Sequence, residues 1–449
     1  MNVDFLKGKS VLVMGLGVFG GGVDSAKFAA RFAKKVIVTD KADERKLADS
    51  IKELQGLKNI EFHIAGHKLE DFAEADVIIV NPAVDEANQY IEAAKSKNKL
   101  ITSQMEIFFQ LCPAKIVAIT GSNGKSTTAA LTAHLLKNAE GGGRKKYGEV
   151  WLSGNIGNLP LLENLDSIQK NDLIVLEISS FQLEQLARIK KSPPVGCVTN
   201  IAPNHLDRHK TMENYCNAKE NIFRFQKSGD VAVLNAYDEK CLEWFKKYKK
   251  TGWKCVLFDR EKLDSKLTKA FKLPGKANRE NLAAAVTIAH HFGLKDKQLT
   301  EPTGSFVSLP HRLQLVGTVA GVRYYNDSIA TTPESTVVGV EAFDEPKILI
   351  AGGYDKGLDF DKMAQAISDK LKALILIGQT ADKIEQSVRK TGKVPPIHRA
   401  GSLAEAVKKA AEISIGGDVV LLSPACASYD MFVNFVQRGN MFVELVKQL

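Results

Sequence analysis

Residues 119–127, Ile-Thr-Gly-Ser-Asn-Gly-Lys-Ser-Thr, lie between the apolar run Lys115-Ile116-Val117-Ala118 and a helix-like stretch over 128–138. A strand, a Gly-rich turn and a helix in that order make a phosphate-binding loop. Its backbone N–H groups and helix N-terminus face an anion, its Lys sits beside the β- and γ-phosphates, and its hydroxyl serves Mg²⁺. The spacing is not the common G-x-x-x-x-G-K-[ST], because Ile119 stands where the first Gly would fall. The shorter form, Gly121-x-x-Gly124-Lys125-Ser126, is rarer and more informative.

The rest of the chain repeats the same alternation. Over 1–102, short β-branched runs at 11–14, 36–39 and 77–80 alternate with polar helical segments, the pattern of a parallel α/β sheet. The first turn reads Gly15-Leu16-Gly17-Val18-Phe19-Gly20, and Asp40 ends the second strand, which together match a dinucleotide-binding fingerprint. That match identifies a place for a nucleotide or diphosphate, not for a nicotinamide. A second α/β block over 103–308 carries the phosphate loop, strands at 172–178 and 195–201, and a helix over 278–292. The run 141–146, Gly-Gly-Gly-Arg-Lys-Lys, reads as a surface insertion, and Leu309-Pro310 as a linker. The third block, 309–449, has strands at 347–351, 373–377 and 419–422 and ends in a helix over 429–448. The expected fold is therefore α/β in three domains: a Rossmann-like N-terminal domain, a central phosphate-loop domain on a parallel sheet, and a Rossmann-like C-terminal domain.

Composition removes several classes. At 449 residues the chain has room for about three domains. Residues 1–10 lack the apolar core of a signal peptide. No apolar run reaches the roughly 18 residues of a membrane span, so a cytoplasmic location with no membrane partner is expected. Six scattered cysteines with no C-x-x-C pair read as reduced, mainly buried thiols rather than a disulfide framework or a zinc ribbon. The net charge of +9 comes with Lys-rich stretches such as 246–250 and 254–272 that lack interleaved aromatics. They read as solvated faces, and no nucleic-acid partner is expected.

Residue type then picks out site candidates. Glu177 closes an apolar strand at the edge where ligands collect in α/β sheets, placed either to hold Mg²⁺ or to cap the turn at Ser179 and Ser180. His205 sits in the cluster Asn204-His205-Leu206-Asp207-Arg208-His209 just past a strand. Lys219 by itself reads as an ordinary exposed helical lysine. Asn326-Asp327-Ser328 and the turn from Gly352 to Gly357 follow strands and read equally as ligand-presenting turns or as plain turns.

Taken in order, these segments resemble the motifs of the Mur ligases: Thr120-Gly-Ser-Asn-Gly-Lys-Ser126, Glu177-Ile-Ser-Ser-Phe-Gln-Leu-Glu184, Asn204-His205-Leu-Asp207-Arg208, Lys219, Leu309-Pro310-His311-Arg312 and Asn326-Asp327-Ser328. The run Ser423-Pro-Ala-Cys-Ala-Ser428-Tyr-Asp-Met-Phe432, with Phe435 and Arg438-Gly439, is similar to that of the glutamate-adding branch. The resemblance spans the whole chain. It implies an ATP-dependent amide ligase of peptidoglycan precursor synthesis, taking UDP-N-acetylmuramoyl-L-alanine (UDP-MurNAc-L-Ala), D-glutamate and ATP through an acyl phosphate, and a monomer. By the same resemblance, the catalytic residues are Lys125, Glu177, His205 and Lys219. ATP falls to Gly121, Ser122, Asn123, Gly124, Lys125, Ser126, Thr127, Asn278, Asn281, Arg312 and Asp327. Two Mg²⁺ fall to Ser126, Glu177, His205 and Lys219, the last carbamylated. The UDP substrate falls to Gly15, Leu16, Gly17, Val18, Asp40, Asn81, Asn155 and His205, and glutamate to Thr331, Lys356, Ser428 and Phe435.

Two positions depart from the family pattern. Ile329 stands where the motif Asn-Asp-Ser-Lys-Ala-Thr-Asn has its Lys, which removes one charge near the phosphates, and Asn81-Pro82-Ala83 replaces a Ser-Pro-Gly type of turn. Both bear on substrate recognition, including D- against L-glutamate, and not on the reaction class. Competing readings are a nicotinamide oxidoreductase, which leaves Glu177 and His205 unused, a non-catalytic Mur-like scaffold, and a related ligase for another amino acid.

Overall fold

Runs rich in Val and Ile form three sheets in the computed structural model, which describes residues 3–85, 87–139, 147–156 and 160–449. The first sheet holds β1 (Ser10–Met14), β2 (Lys35–Thr39), β3 (Ile60–His63), β4 (Val77–Val80) and β5 (Leu100–Thr102) in the order β3-β2-β1-β4-β5, all parallel. The strand order reverses between β1 and β4, so the crevice of this sheet opens over Gly15 and Asn81, the residues that follow those two strands.

The second sheet holds β6 (Lys115–Thr120), β7 (Val150–Gly154), β8 (Leu173–Glu177), β9 (Val195–Val198), β10 (Val231–Asn235) and β11 (Lys254–Phe258). Its order is β11-β10-β9-β6-β8-β7, again all parallel, with β6 at the reversal point. The third holds β12 (Gln314–Val319), β13 (Val322–Asn326), β14 (Lys347–Gly352), β15 (Leu371–Ile377), β16 (Ile397–Arg399) and β17 (Val419–Leu422) in the order β12-β13-β17-β14-β15-β16. Here β12 pairs antiparallel with β13 and the other pairs are parallel.

The chain divides into two compact units, Met1–Lys262 with Asn281–Pro302, and Leu263–Glu280 with Thr303–Leu449. The first unit contains two sheets because they share a core. One cluster of buried side chains runs from Val11, Val13 and Phe28 through Phe108 to Leu162, Ile174, Leu176 and Val198. The second unit packs its sheet between two clusters, one around Leu349, Leu374 and Leu421 and the other around Ile350, Ile375 and Val420.

Three segments differ from the sequence expectation. The helix after the phosphate loop begins at Lys125, directly after Gly124, rather than at 128. The strand expected over 195–201 ends at Val198 because the next residues leave the ladder to bind the loop. The last helix runs Phe435–Lys447, not from 429, because Asn434 accepts a hydrogen bond from Gln437 N (2.9 Å) and caps it. All six cysteines are free; Cys112 and Cys255 are partly exposed and the rest buried. The run 141–146 lies outside the described residues.

Candidate active site

The phosphate loop is held from beneath by the residues that follow β9. Asn123 N donates to Asn200 Oδ1 (2.9 Å), and Asn200 Nδ2 returns a bond to Asn123 O (3.1 Å). Ser122 Oγ donates to Ala202 O and accepts from Ala202 N, both at 2.8 Å, and lies 3.0 Å from the Tyr215 hydroxyl. Lys125 folds its ammonium over the loop, donating to Gly121 O (3.0 Å) and Ser122 O (2.8 Å). Ser126 and Thr127 are buried in the first turn of the helix, and Asn281 accepts from Thr128 Oγ1 (3.1 Å).

Gly121 has φ 147°, and a Cβ built there falls 1.9 Å from Thr199 Oγ1. The Gly121→Ala variant is therefore expected to displace the loop and lower kcat/KM for ATP about 10²-fold. Circular dichroism checks that it stays folded, and ATP kinetics within threefold of the native protein would count against this reading of the loop.

Glu177, the last residue of β8, lies beside Ile119 of β6. It is 5% exposed, and its Oε2 is buried without a hydrogen-bond partner. It does not cap the next helix: Ser179 does, in a reciprocal pair with Gln182. An orphaned carboxylate oxygen beside a phosphate loop suits a cation. Lys219, on the helix Met212–Arg224, is not an exposed lysine. It is 2% exposed, donates to Gly121 O (2.8 Å) and Thr120 Oγ1 (3.2 Å), and lies 4.7 Å from the centre of the Tyr215 ring. Burial first, and the Lys125 charge second, push its amine well below the usual lysine range, against opposing pulls from Cys216 and Glu177.

His205 lies on the surface at φ 53°, at the start of the short helix Leu206–His209, with its ring 5.2 Å from Phe181. Partial burial, then the charge of Lys125, lower its imidazole pKa; Asp207 opposes them and Lys219 adds to them. The His205 cluster thus divides in two. Arg208 turns to the loop that follows β4, pairing with Asp85 (3.1 Å) and donating to Val84 O (2.9 Å). His209 is buried, 2.9 Å from Ser180 Oγ, 3.2 Å from the Glu184 carboxylate and stacked on Phe181, and burial pushes its pKa down to about 4. It fastens the helix Ser180–Arg188 to the turn that presents His205.

Among the described residues no three His, Cys, Asp or Glu side chains close on one metal position. Glu177 and His205 supply a carboxylate and an imidazole, Ser126 a hydroxyl, and Lys219 as an ammonium would repel a cation. Sequence reasoning missed Tyr215, one helical turn before Lys219 and on the same face. That i, i+4 spacing was the available signal.

In the first sheet, Asp40 and Asn81 both grip the fingerprint turn. Asp40 accepts from Gly17 N (3.0 Å) and Ala42 N (2.8 Å), and Asn81 Nδ2 donates to Gly15 O (3.2 Å). The Leu16 side chain is buried in the core, so only its backbone can meet a ligand, whereas Val18 is exposed and Phe19 is 99% exposed. Asn155 follows β7 and hangs from Glu177 O by its own N–H (3.1 Å).

The second unit carries the remaining candidates. Asp327 is buried and accepts from Ser423 Oγ (2.8 Å) and Leu313 N (3.1 Å). Burial pushes its pKa up to about 7, outweighing those bonds and the charge of Arg312. The Ser428 hydroxyl is buried without a partner, and the ammonium of exposed Lys356 lies 5.6 Å from the Tyr429 ring centre. Phe435 sits edge-on to His311 at 6.0 Å, and its carbonyl accepts from Ser328 Oγ (2.8 Å). Thr331 is half-buried with its N–H on Ile329 O (2.8 Å), and Asn278 Nδ2 donates to Pro274 O (2.7 Å). Buried Arg438 ties the turns together, donating to Ser328 O (2.8 Å) and Cys426 O (3.1 Å). Ile329 is half-buried, and its apolar side chain brings no charge to that position.

A phosphate loop at the reversal point of a parallel sheet, flanked in sequence by one fully parallel and one mostly parallel α/β sheet, defines a nucleotide-dependent α/β protein of modular build. The chain belongs to the Mur ligase family: residues 9–103 match the MurD-like N-terminal domain, 119–283 the Mur ligase middle domain and 311–426 the glutamate ligase domain. Mur ligases are ATP-dependent. The UDP-N-acetylmuramoylalanine–D-glutamate ligase of Acetivibrio thermocellus is 39% identical, covering 99% of this chain and 97% of its own. That of Clostridium tetani is also 39% identical, over 99% and 98%. Among solved structures, the UDP-N-acetylmuramate–alanine ligase of Thermotoga maritima superposes with a TM-score of 0.57 at 20% identity, covering 98% of this chain and 99% of its own. The MurF ligase of the same organism, in complex with ADP, gives 0.56 at 16% identity, over 99% and 100%. Both share the fold. Among the described residues no helix is long and apolar enough to cross a membrane.

Proposed function

We propose that this chain is the ATP-dependent amide ligase that joins D-glutamate to UDP-N-acetylmuramoyl-L-alanine in peptidoglycan precursor synthesis. The observation that carries the proposal is the buried amine of Lys219 against the phosphate loop, facing the field of a Glu177 whose inner oxygen lacks a partner. Full-length similarity to ligases named for this reaction supports it.

In this reading an oxygen of the alanyl carboxylate attacks the γ-phosphorus of ATP. One P–O bond forms as the bond to ADP breaks. The glutamate amine then adds to the acyl carbon, loses a proton, and inorganic phosphate leaves. Charge accumulates on phosphoryl oxygens, so the work is positioning and electrostatic stabilisation. The loop N–H groups and Lys125 hold the phosphates. Ser126, Glu177, His205 and Lys219 would hold two Mg²⁺, which neutralise phosphate charge when bound. For Lys219 to serve, its neutral amine adds to CO₂ and releases a proton, leaving a carbamate that presents oxygens. Asn278, Asn281, Arg312 and Asp327 hold ATP; Gly15 to Val18, Asp40 and Asn81 hold the UDP end; Asn155 and His205 the muramoyl-alanine end. Thr331, Lys356, Ser428 and Phe435 receive glutamate, the lysine offsetting a carboxylate. The working division is UDP binding by residues 1–102, ATP binding by 103–308 and glutamate binding by 309–449, in a cytoplasmic monomer.

Phosphate release from ATP is expected only when UDP-MurNAc-L-Ala and D-glutamate are both present, with L-glutamate and other amino acids run in parallel. Release that is unchanged when either substrate is omitted would sink the ligase reading. Turnover with L-glutamate alone would reassign the amine while leaving the chemistry.

A further inference from the structure

We infer that Asp24 is a positioning residue that docks the first sheet's fingerprint helix onto the substrate edge of the central sheet. The inference rests on the ligase reading, because a single substrate must then reach from the fingerprint turn to Asn155.

Asp24 lies on the helix Gly21–Ala30, which leaves the fingerprint turn, and it is 3% exposed. Its oxygens accept from Leu162 N and Glu163 N, both at 2.9 Å, and from Gln104 Nε2. Three pieces of chain therefore meet on one carboxylate: the fingerprint helix, the connector between the first and second sheets at Gln104, and the turn that follows Asn155 in sequence. Leu162 and Glu163 open a run of turns in which Leu165 N bonds Leu162 O (3.2 Å). Their own N–H groups are the orphan donors of such a start, and Asp24 caps them from another sheet's helix.

The same helix face repeats the grip. Lys27 pairs with Glu163 (3.3 Å) and Glu53 (3.1 Å), and Arg31 pairs with Asp166. Glu163 is thus held by its backbone and its carboxylate at once. Below this polar stripe, Val23 and Phe28 share a buried cluster with Leu161, Leu162 and Leu165. Those apolar contacts supply adhesion but no register. Hydrogen bonds to a buried carboxylate fix direction, and all three of its hydrogen-bond donors are neutral, so the interaction demands geometry rather than charge pairing. Asn155 hangs from Glu177 O, so sliding the helix along the turn alters the span between fingerprint and Asn155 without touching the phosphate loop.

In the full chain, Asp24→Asn turns an amide NH₂ toward at least one of the three donors. The KM for UDP-MurNAc-L-Ala is expected to rise about tenfold while the KM for ATP holds. Hydrogen exchange at the Leu162 and Glu163 amides is expected to accelerate. A uniform fall in kcat with both KM values unchanged, or unaltered exchange at those amides, overturns the inference. If Asp24→Asn does not fold, Asp24→Glu keeps the charge but moves the carboxylate by one methylene relative to the Leu162 and Glu163 amides, and is judged by the same two readouts. If the native protein shows no ligase turnover, the functional reading fails on its own, and amide exchange in the variant still decides the role of Asp24.

Discussion

Lys219→Ala is expected to lose turnover by about 10²–10³-fold, the usual cost of removing one preorganised electrostatic partner. Acetate or formate at high concentration is expected to restore part of it, and bicarbonate none. The side chains around the phosphate loop offer a cation few oxygens. Glu177 brings one unpartnered carboxylate oxygen and His205 an imidazole, while Lys219 as a cation would add to the repulsion that Lys125 already exerts on metal ions. Burial favours its uncharged amine, the form that adds CO₂. The methyl side chain of the variant cannot be carbamylated, so bicarbonate has nothing to act on, but it leaves space beside Gly121 for a small carboxylate. A lysine acting as a cation makes the opposite forecast: small amines would rescue and acetate would not. Phosphate release with each additive, alongside a thermal melt to confirm folding, distinguishes the two. Near-native turnover without additive would remove Lys219 from the chemistry.

The phosphate loop was legible because its glycines answer to a backbone need that no other residue meets, and central strands such as β8 because burial on both faces leaves continuous apolar runs. Glu177 stood out as the polar end of such a run. The burial of Lys219 was not legible. A helix with lysine among polar neighbours has a face decided by packing, here against β6 and the loop, and sequence records that only as the i, i+4 pair with Tyr215. Edge strands were lost for a related reason. Lys254 opens β11 within a Lys-rich stretch, yet Phe258 at its far end is buried. At the C-terminus, Met431 and Phe432 pack against the core without being helical, so apolar periodicity placed the helix start too early, while the cap at Asn434 marked it. The His205 cluster read as one site because its residues are contiguous. A left-handed backbone at His205 instead sends Arg208 and His209 to structural tasks.

Asp327→Asn is expected to cost activity and gain stability at neutral to alkaline pH. Asp327 has its folded pKa raised to about 7 from 3.8, chiefly by burial. Between those values the folded state holds a proton that the unfolded chain has released, so the contribution of Asp327 to stability is greatest at low pH and falls as pH rises towards 7. At about 1.4 kcal/mol per unit, the shift puts a ceiling of about 4 kcal/mol on this cost above pH 7. Other groups titrate alike in both proteins, so the difference between native and variant isolates position 327. Urea midpoints at pH 4 and pH 8 are expected to diverge in favour of the variant at pH 8. Function runs the other way. If Asp327 holds ATP as proposed, its ionised carboxylate, oriented by Ser423 Oγ and Leu313 N near the Arg312 charge, is the form that serves, so native kcat/KM for ATP should climb through about pH 7 and then level. The variant should run about 10²-fold lower and lack that inflection. The same pH dependence of stability in both proteins would show that Asp327 is already ionised in the fold, and that neither its stability cost nor its control of activity comes from burial.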